Sequence, residues 1–95
     1  MAESTYLRAV IRMADDSELP VIIGLCDRMA AREHYGKGLA KTQEEDPELA
    51  EEWLAYAAYA AAKRTKAVTG TWESFVGRYI GLDILEDNDP GPKPA

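Results

Sequence analysis

The sequence predicts an α+β fold: an N-terminal β-hairpin, about three α-helices, and an acidic, proline-containing C-terminal tail. Three observations predict it. Residues 4–13 alternate with period two, and residues 47–66 open on Asp46-Pro47-Glu48 and carry an apolar stripe at helical spacing. Trp72, Phe75, Val76, Tyr79 and Ile80 recur at i, i+3, i+4, i+7 and i+8, the cleanest amphipathic signal in the chain. At 95 residues there is room for one small domain, placed over 1–86, with a disordered tail over 87–95.

The hairpin is predicted over 4–23. Leu7, Ala9, Ile11 and Met13 share one side, and Tyr6, Arg8, Val10 and Arg12 the other. The polar cluster Ala14-Asp15-Asp16-Ser17-Glu18 is a turn, after which Leu19, Val21 and Ile23 resume the alternation. Pro20 cannot donate a ladder hydrogen bond, which puts the second strand at a sheet edge or at its own start. Two strands alone are marginal in water, so the apolar face needs a helix or a second chain against it.

A short helix is predicted over 25–35, closing on Gly36 as a left-handed cap. Its amphipathicity is weak; Leu25, Cys26, Met29 and Ala30 are assigned to the hairpin side, and Asp27, Arg28, Arg32 and Glu33 to solvent. Residues 36–45, with Gly36 and Gly38 in a mixed polar run, read as a flexible connector. The next helix, over 47–66, starts sharply: Asp46 as a carboxylate cap, proline at the first helical position and Glu48 in the first turn. Its stripe is Leu49, Trp53, Tyr56, Ala57 and Ala60, widened by Leu54, Ala58 and Ala61. The small alanines let a neighbouring backbone approach closely, while Trp53, Tyr56 and Tyr59 supply contact area. Thr69-Gly70-Thr71 breaks the pattern, Thr71 caps a last helix over 72–81, and Gly81 ends it.

Composition removes several function classes. A hydrophobic share of 46% with 29% charged residues is ordinary for a globular protein and rules against wholesale disorder. The net charge of -6 argues against nucleic acid, whose binding rests on clustered Lys and Arg. No apolar run approaches the roughly 18 residues of a membrane span, and the N-terminus lacks the pattern of a secretory signal. A single cysteine, Cys26, cannot form an internal disulfide and fits a reducing cytosol.

No reaction is predicted and no cofactor is implied. His34 is the only histidine and sits at a helix end, where a surface or capping role is the commoner one. Cys26 lacks a flanking nucleophile signature and reads as a small buried thiol. One Cys and one His cannot supply the four ligands of a structural zinc site. The acids from Glu44 to Glu52 lack the alternating ligands and central glycine of a calcium loop and read as a solvated helix start. Gly36-Lys37-Gly38 is too short for a phosphate loop and reads as a hinge.

The aromatic side chains remain. A stripe at helical spacing is usually core, but two adjacent helices in so short a chain carry a large apolar load. Trp53, Tyr56, Tyr59, Trp72, Phe75 and Tyr79 are therefore the candidate partner-binding residues, and self-association would relieve the small-core problem.

The order of these segments resembles the tail assembly chaperones of long-tailed, siphovirus-like phages of actinobacteria. The resemblance covers most of the chain: the hairpin, Arg32-Glu33-His34-Tyr35-Gly36, Trp53-Leu54-Ala55-Tyr56 with Ala60-Ala61-Ala62-Lys63-Arg64, Gly70-Thr71-Trp72-Glu73-Ser74-Phe75, Leu82-Asp83-Ile84 and the acidic end. It implies a non-enzymatic factor in the host cytoplasm that binds the tape measure protein, helps bring tail tube protein to it, and is absent from the mature virion. It also implies a longer product made by ribosomal frameshifting; Gly91-Pro92-Lys93 is compatible with codons containing a slippery heptamer. The alternative is a small head-to-tail connector that stays in the particle.

Overall fold

The computed structural model describes residues 7–85. β1 (Leu7–Met13) and β2 (Glu18–Ile23) pair antiparallel from Leu7↔Ile23 to Arg12↔Glu18, as the alternation predicts. The turn is fixed by Asp15, whose carboxylate accepts from the Ser17 amide at 3.0 Å, and by Asp16 in the left-handed region at φ 70°. Ala9, Ile11, Met13, Val21 and Ile23 are buried on one face. Pro20 lies on an edge strand, because the sheet order is β2-β1-β3, with β3 formed by Tyr79–Ile84.

The third strand corrects the sequence reading. The helix predicted over 72–81 stops after α4 (Trp72–Val76), and β3 (Tyr79–Ile84) turns back antiparallel to β1. Gly77 caps α4, and a glycine inside a helix costs about 1 kcal/mol relative to alanine. The open edge of β1, by contrast, offers a row of backbone partners, and a three-stranded sheet escapes the marginality of a hairpin. Leu82 and Ile84 oppose Ile11 and Ala9, and a register shift at Arg12/Met13 leaves Ile80 without an opposite residue, 62% exposed.

α1 (Leu25–Tyr35) has the predicted ends, with Gly36 left-handed at φ 79°, but a different face turned inward. Asp27 and Ala31 are buried, whereas Leu25 and Met29 are 55% and 59% exposed and Cys26 is exposed. An ion pair sets this rotation. Asp27 accepts from the Gly24 amide at 2.9 Å, and from the Arg64 Nε and Nη2 at 3.1 and 2.7 Å. The same Nη2 also donates to the Ile22 carbonyl oxygen. Bidentate charge-assisted bonding outweighs the weak apolar preference of the opposite face.

The predicted connector over 36–45 contains a helix, α2 (Leu39–Glu45). Its fully buried Thr42 donates to the Gly38 carbonyl at 2.7 Å, and Glu45 pairs with Lys37 and Lys41. α3 (Pro47–Arg64) begins as predicted, with the Asp46 carboxylate accepting from the Leu49 amide, and ends two residues early. Lys66 adopts a left-handed conformation at φ 68°, which ends regular helix geometry. α3 is the centre of the fold: it packs against α1, α2 and β2, and its buried alanines Ala57, Ala58, Ala61 and Ala62 join Ile11, Ile23, Trp53 and Phe75 in the core. Among the described residues no helix is long and apolar enough to cross a membrane. The tail predicted over 87–95 lies outside the described residues.

Candidate functional site

Five of the six aromatic residues singled out in the sequence meet in one band. Tyr56 and Tyr59 on α3 contact Trp72 on α4 at ring-centroid distances of 4.9 and 5.5 Å, Tyr59 and Trp72 contact Phe75, and Phe75 contacts Tyr79 at the start of β3. His34, exposed as expected, extends the band by stacking on Tyr56 at 4.2 Å. Trp53 stands apart among the described residues, donating its indole N–H to the Lys37 carbonyl at 2.9 Å.

Burial divides these six residues into two groups. Trp53, Tyr59 and Phe75 are 2%, 6% and 0% exposed, so they belong to the core. The Tyr59 hydroxyl is satisfied internally by donating to the Gly70 carbonyl at 2.8 Å. A chain this short has too few large apolar residues to leave its biggest ones outside. Tyr56, Trp72 and Tyr79 remain partly exposed.

Trp72 and Tyr79 line a groove of about 580 Å³ between α3, α4 and the start of β3. Its apolar floor is completed by Ala55, whose small side chain leaves the space open, and by Val76, 47% exposed. Glu48, Glu51 and Glu52 line it from α3, and Glu73 from α4. The sequence held a signal for these acids, because Glu48, Glu51, Glu52 and Ala55 fall at i, i+3, i+4 and i+7 and share a helix face. Their charge alone suits a solvated helix start; α4 brings Glu73 and the Trp72 ring, and β3 the Tyr79 ring, beside them.

The groove is electronegative and partly dry. Burial first, and then the charges of Glu51 and Asp83, push the Tyr79 phenol up to about 12. Its hydroxyl oxygen is buried with no hydrogen-bond partner among the described residues. Nearby, burial first, and then a 2.9 Å hydrogen bond to the Glu52 carboxylate and its charge, raise Tyr35 well above the ordinary phenol range.

These phenols give the fold an alkaline limit. Below about pH 10 they are neutral in folded and unfolded chains alike; above it the unfolded chain loses protons that the folded one retains. Stability is therefore expected to fall as pH rises from about 10 to 12. Urea midpoints at pH 9 and pH 11 measure this, and a Tyr35→Phe/Tyr79→Phe variant should show a shallower decline. An equal decline in both proteins would assign the alkaline limit to other groups.

Among the described residues, no three His, Cys, Asp or Glu side chains are placed to hold a metal ion. What the arrangement provides chemically is a shallow apolar surface with fixed negative charge at its rim. Compared with family models, curated proteins and solved structures, the chain matches none.

Proposed function

We propose that this chain is a non-enzymatic phage tail assembly chaperone, acting in the host cytoplasm, that shields part of the tape measure protein and helps bring tail tube protein to it. The observation that carries this reading is the groove between α3, α4 and β3. It leaves Val76 and the partly exposed Trp72 and Tyr79 open to a partner, in a domain whose other large aromatic side chains are mostly buried. Apolar helix faces of an unassembled tape measure segment are prone to aggregate, and an amphipathic helix laid in a groove is a recurrent way of covering such a face.

Co-expression tests it. The wild-type chain is expected to raise the soluble yield of a tape measure fragment from the same phage at least severalfold. Val76→Glu places a charge on the groove floor at an exposed position, so it should fold normally, as checked by circular dichroism and thermal melting, yet lose most of that effect. Failure of the wild-type chain to raise the yield, or equal performance by a folded Val76→Glu variant, rejects the proposed role of the groove. Mass spectrometry of purified particles should find the chain absent; stoichiometric presence would instead support a head-to-tail connector.

A further inference from the structure

We infer that the groove's occupant is an amphipathic helix whose apolar stripe is flanked by lysine or arginine. This rests on the groove being the partner-binding surface and adds the chemistry of what binds there. Among the described residues four carboxylates line it, and no lysine or arginine does. The contrast with the rest of the surface is sharp: each of four other grooves contains Arg78, Arg8 with Arg64, Lys63 with Arg64, or Arg28 with Arg32.

The carboxylates also lack internal compensation among the described residues. Among the described residues Glu48, Glu51, Glu52 and Glu73 form no ion pair, and Glu52 is held only by the Tyr35 hydroxyl. Like charges gathered around an apolar floor repel one another, and a cationic partner relieves that repulsion while it covers the floor. Acids contributed by both α3 and α4 match a stripe with basic residues on each side. The Trp72 and Tyr79 rings suit the apolar stems and charged heads of lysine and arginine.

The probe is a synthetic 18-residue helix of leucine and lysine, with a leucine and glutamate helix as control, titrated calorimetrically into the full 95-residue chain. The lysine helix should bind and the glutamate helix should not. Glu51→Lys/Glu73→Lys should weaken binding about tenfold or more. Glu18→Lys/Glu33→Lys, which makes the same change in net charge on β2 and α1, should hold it within about threefold. Absence of lysine-helix binding, equal binding of both helices, or equal weakening by the two variants overturns the inference. The groove reading is decided separately: Val76→Glu impairing the co-expression effect while Glu51→Lys/Glu73→Lys leaves it intact would sink the basic-helix assignment and retain the groove.

Discussion

Truncating Trp53 to alanine is expected to remove about 3–5 kcal/mol of folding stability. The indole is 2% exposed, and it lies where α3 meets the chain leading into α2, with its N–H bonded to the Lys37 carbonyl. Alanine leaves a large cavity that the neighbouring alanines cannot fill, and it leaves that carbonyl short of a partner. Domains of this size are stable by only about 5–15 kcal/mol, so the variant should be close to unfolding at ordinary temperature. Trp53→Phe separates the two effects, since it keeps most of the apolar volume and loses the hydrogen bond, and it should cost about 1–3 kcal/mol. Urea denaturation of the three proteins measures both. A loss below about 1 kcal/mol for Trp53→Ala would mean that this side chain is not a core anchor, and would return it to the candidate surface.

Trp53 and Trp72 look equivalent as large aromatics at helical spacing, but only Trp72 is accessible at the groove. Removing Trp53 would weaken binding by depleting the folded domain, whatever surface the partner uses. Val76, nearly half exposed, and the rim acids Glu51 and Glu73 are the positions where binding and folding separate.

What was legible in the sequence was what local chemistry decides. The β1–β2 alternation, the Gly36 cap and the Asp46-Pro47 helix start each depend on residues a few positions apart, and each appears where expected. β3 was hidden because Tyr79 and Ile80 satisfy a helical period begun at Trp72, while the pairing of Tyr79, Gly81 and Leu82 with β1 depends on residues about seventy positions away. α2 was hidden for a related reason. Its mixed polar sequence has little amphipathic signal, and burial of Thr42 against α3, with the indole of Trp53 bonded just before the helix, has no local trace. The aromatic half of the groove was visible as a stripe. Its acidic half was visible only as charge, because the position of α4 beside α3 is a tertiary fact.

The same limit governs Asp27, which helical periodicity assigns to solvent and the fold buries. Asp27→Ala is expected to cost about 2–3 kcal/mol: it removes the carboxylate that accepts the Gly24 amide at the start of α1 and breaks a bidentate bond to Arg64. The two partners are not equivalent. The Asp27 side chain is 3% exposed and that of Arg64 47%, so water can take over the guanidinium when the acid is removed, but cannot readily reach the carboxylate when the guanidinium is removed. Arg64→Met should therefore destabilise the domain more than Asp27→Ala, although Arg64 is the more exposed of the two. Adding Asp27→Ala to Arg64→Met should recover part of the loss, since it removes the stranded charge. Denaturation of both single variants and the double variant tests the order. If Arg64→Met proved the milder change, or the double variant lost the sum of the two single losses, the pair would be acting as an ordinary surface contact, and the rotation of α1 would need another cause.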